Sequence, residues 1–233
     1  MTNIVILTGA GISAESGLGT FRDEDGLWAQ HRIEDVATPE GFARDPELVQ
    51  AFYNARRENA RDASANAAHA ALARLEQQHQ GDVLIVTQNV DDLHERAGSA
   101  HVLHMHGALA GALCGSCDHR WPAPDVMQVS DLCPNCGGAA TRPDIVWFGE
   151  IPYHMDAIEA ALSAADIFVA IGTSGEVYPA AGFVAAARQR GAHTVELNLA
   201  PSSTVSQFAE TRFGKATEIV PTWVDEILRA APG

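Results

Sequence analysis

"VILTGAGISAESG", residues 5–17, decides how the rest of the chain is read. An apolar run that reads as a buried strand, 4–8, stops at Gly9-Ala10-Gly11-Ile12-Ser13-Ala14, which fits G-x-G-x-x-G/A. Glycines there permit close backbone approach, and N–H groups opening a helix would meet a pyrophosphate. Alone, the pattern also fits a tight turn; its place after the first strand favours a dinucleotide. The usual second strand, ending in an acid about 20 residues on, is missing. "GLGTFRDEDGLW", residues 17–28, stands there instead, rich in glycine and charge. It reads as a loop folding over the ligand and counts against an ordinary hydride-transfer dehydrogenase.

Further short apolar runs follow at 83–87, 101–105, 167–171, 194–197 and 218–220. Helical spacing of apolar or small residues fills 66–79, 155–165, 179–190 and 221–230. Strands alternating with helices predict an α/β fold on a parallel sheet. Residues 31–65, helical and polar, and 108–141, with cysteine, glycine and proline but little periodicity, break the alternation and read as insertions. The strands run into "TGAGIS", "TQNVD", "HMHG", "IGTS" and "LNLAP". In open parallel sheets ligands bind beyond the carboxyl ends of strands. A plain turn explains any one of these ends and explains all of them together poorly.

Gln88, Asn89 and Asp91 in "TQNVD" can read a carboxamide or sugar hydroxyls, or can cap the helix that follows. On a strand, His104 and His106 share a face. His106 sits at the edge, before Gly107, where a neutral imidazole could take a proton from a hydroxyl; His104 is deeper and reads as a hydrogen-bonded core residue. Gly172, Thr173, Ser174, Asn198 and Leu199 suit a ribose or phosphate, or are turn residues. Cys114, Cys117, Cys133 and Cys136 make C-x2-C-x15-C-x2-C, which is zinc spacing. Four thiolates close the tetrahedron, so the zinc would be structural.

The chain has 233 residues with 46% hydrophobic content, enough for one sizeable core with a satellite. Its net charge of −15 disfavours nucleic acid as a partner and leans toward Lys-rich protein segments. No signal peptide or membrane-length apolar run is visible, which predicts a cytoplasmic protein. In "FYNARREN", residues 52–59, Tyr53 and Arg56 share a helix stripe with Val49; Asp45 caps that helix and Pro46 suits its first turn.

"GAGIS", the "TFRD" loop, "TQNVD", "HMHG", the paired CxxC, "VWFGE", "IGTS" and "ELNL" stand in one order along essentially the whole chain. In this the sequence resembles the sirtuins, NAD-dependent protein lysine deacylases, and most closely bacterial sirtuins of the CobB type. Gly19 departs from the pattern, where many sirtuins carry proline. The resemblance implies a Rossmann-like large domain of residues 1–30, 66–107 and 142–233. Residues 31–65 and a zinc ribbon of 108–141 would form the small domain. NAD would be a co-substrate held by Gly9, Ala10, Gly11, Ile12, Ser13, Phe21, Arg22 and Trp28. Gln88, Asn89, Val90 and Asp91 would address its nicotinamide ribose and carboxamide. Gly172, Thr173, Ser174, Asn198, Leu199, Ala200 and Ala216 would line the adenosine side. His106 would be the general base, with Asn89 beside it. Val146, Phe148, Gly149 and Glu150 would pair with the substrate backbone as an added strand.

Ala37, Tyr53 and Arg56 would border the acyl chain, a pair like that of sirtuins removing succinyl and malonyl groups. The implied reaction has the acyl oxygen attack the ribose as nicotinamide leaves. His106 then helps deprotonate a ribose hydroxyl, which attacks the resulting imidate, and water finishes, giving free lysine, nicotinamide and O-acyl-ADP-ribose. The implied partners are acyl-lysine proteins, neither nucleic acid nor membrane, and a monomer is favoured. A mono-ADP-ribosyltransferase and a non-catalytic NAD-binding interaction module are the alternatives.

Overall fold

The computed structural model describes residues 1–19 and 30–230. Strands β1 (Ile4–Thr8), β2 (Val83–Thr87), β3 (Val102–His104), β7 (Ile167–Ile171), β8 (His193–Asn198) and β9 (Glu210–Phe213) form one sheet in the order β3-β2-β1-β7-β8-β9. Every pairing in it is parallel. The strand period of two explains the layers. Ile4 and Ile6 face helices α4 (Ala67–Gln78) and α8 (Ala216–Ala230) through Leu72, Leu75, Val220 and Trp223. Val5 and Leu7 face α6 (Met155–Ala164) and α7 (Phe183–Gln189) through Ile158, Leu162, Phe183 and Val184. With both faces covered, the central strands need continuous apolar runs.

Two segments leave this layering. Between β1 and β2 the chain makes α1 (Ile33–Val36), α2 (Pro39–Arg44) and α3 (Pro46–Asp62) before α4. Between β3 and β7 it makes an antiparallel sheet of β4 (Gly107–Cys114), β5 (Arg120–Pro122) and β6 (Thr141–Ile145), in the order β5-β4-β6. Residues 142–145, grouped from sequence with the larger part, pair with β4 in this small sheet. Helix α3 begins as expected, with the Asp45 carboxylate accepting from Leu48 N–H at 2.9 Å. It ties the two segments together. The buried Arg57 donates to the Leu109 carbonyl at 2.8 Å, Gln50 to the Thr141 carbonyl at 3.1 Å, and Asn54 to the Met127 carbonyl at 2.9 Å.

One expected strand is absent. Residues 218–220 belong to α8, which runs through Pro221. An interior proline costs a helix about 3 kcal/mol. Burying Val220, Trp223 and Val224 at one-turn spacing is worth about 1.5–3 kcal/mol each, so packing wins. The Glu15 carboxylate also accepts from Thr217 N–H at 3.0 Å in the first turn of α8. The true edge strand, β9, escaped the sequence reading because it is polar and half exposed, with Glu210 and Arg212 paired along it at 2.6 Å. Residues 179–182 are a proline and a 3-10 turn before α7, which is shorter than its periodicity suggested.

β1 is the switch point: its neighbours are β2 on one side and β7 on the other. There Gly172 takes φ +61°, and a Cβ on it would lie 2.5 Å from Ile12 N. Gly172→Ala should therefore lower stability by at least about 2 kcal/mol, a fall of about 4–8 °C in Tm. A thermal melt within 1 °C or so of the parent would show that the two loops can separate without loss.

Candidate active site

The strand ends on either side of this switch point are cross-linked. Beyond β2, the Gln88 amide donates to Thr173 Oγ1 at 3.1 Å, beyond β7. Asn198, at the end of β8, donates to the Thr173 carbonyl at 2.8 Å. Asn89 Nδ2 donates to Ser13 Oγ at 3.2 Å, and Ser13 Oγ donates to Asp91 Oδ2 at 3.3 Å. Ser13, Asn89 and Asp91 are all buried.

After β1 the chain makes two 3-10 turns, Ala10–Ile12 and Ala14–Ser16, where a helix was expected. The N–H groups of Gly9, Gly11, Ile12 and Ser13 go to the carbonyls of Ile171, Gly172, Gly9 and Ala10. They are committed inside the fold, so the segment does not present a helix terminus. Ile12 is buried in the core and offers only its backbone, while Leu199 is 73% exposed. Ala200 is exposed and Ala216 half-buried. Phe21, Arg22 and Trp28 lie outside the described residues.

Two histidines missed from sequence support this layer. Asn66 N–H donates to His69 Nδ1 at 3.3 Å, closing a capping box at the start of α4. His69 Nε2 then carries the proton and donates to Ser13 Oγ at 3.4 Å. Burial holds His69 down at about 4. His94 touches its ring at 5.0 Å and lies 3.0 Å from Thr8 Oγ1, and burial holds it at about 3. Both are neutral props. The only sequence signal was Asn66-x-x-His69, a capping pattern with histidine in the usual Glu place. Asp91 is raised by burial, against which Leu93 N–H and Ser13 act. It is a desolvated acceptor whose two oxygens take Leu93 N–H at 3.1 Å and Ser13 Oγ at 3.3 Å.

His106 and His104 diverge chemically. His106 Nδ1 lies 3.2 Å from the Gln88 carbonyl and so carries a proton, leaving the Nε2 lone pair bare. Burial lowers its pKa, with the Gln88 carbonyl opposing. His104 Nδ1 faces the Asn89 carbonyl at 3.2 Å and Nε2 the Glu95 carboxylate at 2.7 Å. Burial opposes protonation of His104, but the Glu95 hydrogen bond and charge outweigh it and raise the pKa. One ring is an acceptor and the other a held cation. His104 is half-buried and ion-paired, so it is hydrogen-bonded as expected but is no core residue.

A second wall is built by α3 and the chain after β6. Val49 and Tyr53 are buried on one stripe, and the half-buried Arg56 follows it. The Arg56 guanidinium lies 5.6 Å from the Tyr53 ring centre and 5.8 Å from that of Phe52. Burial lowers its pKa, while Tyr53 and the charge of Asp91 act the other way. Ala37, Val90 and Trp147 pack in the same cluster. Val146 N–H goes to the His106 carbonyl and Phe148 N–H to the Ala37 carbonyl, each at 2.9 Å. The Glu150 carboxylate is committed to Arg142 at 2.7 and 2.8 Å and to Trp147 N–H at 2.7 Å. Glu150 thus shapes the segment and does not reach out with its side chain.

The cysteine sulfurs lie within 4.8 Å of one another, with Cys114 and Cys136 3.7 Å apart and Cys117 and Cys133 3.8 Å apart. A tetrahedron with Zn–S of about 2.3 Å has edges of about 3.8 Å. The donor set fits one structural Zn2+. His119 is outside it, stacked on Trp121 at 5.8 Å.

The Sir2 family profile matches residues 9–179. A Caulobacter vibrioides protein named NAD-dependent protein deacylase is 56% identical over 231 residues, covering 97% of this chain and 96% of its own. One of the same name from Vibrio parahaemolyticus is 58% identical, over 97% and 95% of the two chains. The crystal structure of a Sir2 homolog–NAD complex superposes with a TM-score of 0.90 at 40% identity, covering 98% of this chain and 90% of that one.

Cys114→Ser should lose bound zinc and lower Tm by about 10 °C, because a structural zinc contributes folding energy directly. Metal analysis and a melt on the same sample check this; one zinc retained at an unchanged Tm would refute the tetrad.

Proposed function

We infer that this chain, which belongs to the Sir2 family, is an NAD-dependent protein deacylase, and we propose that it removes both acetyl and succinyl groups from lysine, malonyl-type groups included. The observation that carries the acyl range is Arg56. Its guanidinium stands beside Tyr53, within reach of Asp91's charge, in the wall that includes the small, buried Ala37. A carboxylate at the end of an acyl chain would meet a bidentate donor there, with the Tyr53 hydroxyl as a third hydrogen-bonding group. Acetyl carries no carboxylate and so has no use for the Arg56 and Tyr53 donors.

The switch-point residues suit NAD as co-substrate. Gly9 and Gly11 let the ends of β1 and β7 close on each other, Asp91 is a buried acceptor, and Gln88, Asn89, Thr173 and Asn198 add amides and hydroxyl. Ser174, Leu199, Ala200 and Ala216 would line the adenosine side, and Gly149 and the carbonyls of 146–150 would take up the substrate backbone. NAD supplies a ribose carbon from which nicotinamide departs as the acyl oxygen attacks. His106 Nε2 receives the ribose hydroxyl proton; Asn89 and Asp91 hold that ribose; burial keeps competing water out. One water would then add at the acyl carbon and release the lysine amine, so that the products are free lysine, nicotinamide and O-acyl-ADP-ribose; the cysteine tetrad takes no part in the chemistry.

We further propose that the part built on the parallel sheet and the part built from α1–α3 and β4–β6 are two domains, with the cleft between them as the meeting place of NAD and acyl-lysine. No helix among the described residues is long and apolar enough to cross a membrane. A monomer in the cytoplasm acting on Lys-rich protein segments agrees with the charge of −15.

His106→Ala should cut deacylation about 100-fold or more while NAD binding largely survives, since a base acts on the reaction more than on the ground state. The parent should lose kcat/KM only as pH falls below about 6.5, because burial lowers the His106 pKa and the neutral base persists to lower pH. His104→Ala should act through stability. The assignment is reversed if a folded His104→Ala protein is inactive and His106→Ala is not.

Arg56→Met should reduce desuccinylation about 30-fold or more and leave deacetylation within a few-fold. Rates on paired peptides bearing succinyl- or acetyl-lysine decide it. Equal losses would place Arg56 in the fold or the NAD site, and no loss on either peptide would make it a surface cation.

A further inference from the structure

Trp147 stands behind Tyr53. Its indole N–H donates to the Tyr53 hydroxyl at 3.0 Å, and both residues are buried. The indole itself is clamped. The Arg142 guanidinium lies 3.6 Å over its ring centre, and Phe42 packs at 5.2 Å. Glu150 binds Arg142 through both oxygens and takes the Trp147 backbone N–H at 2.7 Å. Arg142 also donates to the Ile145 carbonyl at 2.7 Å, which anchors the clamp to the end of β6. The donor therefore cannot swing away from Tyr53.

A phenol hydroxyl carries one proton, while indole and guanidinium nitrogens are donors only. Trp147 and Arg56 both act on the Tyr53 oxygen, and neither can accept its proton. Among the described residues no hydrogen bond takes that proton, which is left for an acceptor arriving from the acyl side.

We propose that Trp147 is a positioning residue for acyl recognition: its indole N–H fixes the Tyr53 hydroxyl as a donor toward a substrate carboxylate also held by Arg56. This rests on the acyl range proposed above. Arg142 and Glu150 serve the same end by locking the indole.

The test uses Trp147→Phe, Tyr53→Phe and the double variant in the full chain, with NAD and succinyl- or acetyl-lysine versions of one peptide. Trp147→Phe keeps an aromatic ring and removes the N–H. It should lower the succinyl-to-acetyl ratio of kcat/KM about two- to ten-fold, as expected for one hydrogen bond, through KM for the succinyl peptide. In the Tyr53→Phe background it should lower that ratio no further, because the effect passes through the hydroxyl. An equal fall on both peptides, an unchanged ratio, or an additive fall in the double variant overturns the proposal. Should Trp147→Phe not fold, benzothienylalanine at 147 keeps the fused ring without the N–H, and the same outcomes decide. Arg56→Met separates the two failures. If it leaves the ratio unchanged, the acyl reading itself fails; if it lowers the ratio and the Trp147 variants do not, only the indole's role is lost.

Discussion

Two backbones touch where the sheet changes direction. A Cβ on Gly11 would sit 2.7 Å from the Gly172 Cα, and one on Gly9 would sit 2.8 Å from the Gly172 carbonyl oxygen. Only glycine lets the end of β1 and the end of β7 close to this distance, sealed by Gly11 N–H to the Gly172 carbonyl at 2.9 Å. Everything at the site is placed by that contact. It brings Ser13 over Asn89 and Asp91, and it brings Thr173 within reach of Gln88 and Asn198. Loops that would otherwise be independent become one surface at the carboxyl edge of a parallel sheet.

A surface so buried must satisfy its own polar groups, since each one left bare costs about 1–3 kcal/mol. The solution fixes proton positions as well as atoms. The Asn66 backbone sets the His69 tautomer, His69 and Asn89 donate to Ser13, and Ser13 turns its proton to Asp91. The Gln88 carbonyl does the same for His106, and the Glu95 carboxylate does the opposite for His104. Two imidazoles two residues apart end as a neutral acceptor and a cation because one faces a neutral carbonyl and the other a charge.

Much of this was legible. β1, β2 and β7 lie as read, since strands buried on both faces leave continuous apolar runs. The zinc spacing and the Tyr53-Arg56 stripe are local patterns and survive folding intact. What failed was non-local. Residues 218–220 look like a strand until Trp223 and Val224 reveal a face for α8 to bury. β9 has no apolar signature because an edge strand can be polar. His69, His94 and Trp147 were invisible because their partners Ser13, Thr8 and Tyr53 lie far off in sequence.

The two segments that interrupt the sheet also divide the labour. The sheet edge carries His106, Asn89 and Asp91, proposed above to act where bonds change. Helix α3 and the chain after β6 carry Tyr53, Arg56 and Trp147, proposed above to select the acyl group. The two are joined by a main-chain bond, Val146 N–H to the His106 carbonyl at 2.9 Å, while Phe148 N–H to the Ala37 carbonyl, also at 2.9 Å, closes the wall itself. Main-chain bonds hold position whatever side chains flank them. On the proposed reading, the wall can therefore change character through Tyr53 and Arg56 while His106 keeps its place. Selectivity would then change without disturbing the chemistry, because the side chains proposed to choose and the one proposed to react are held in place by the same main-chain scaffold.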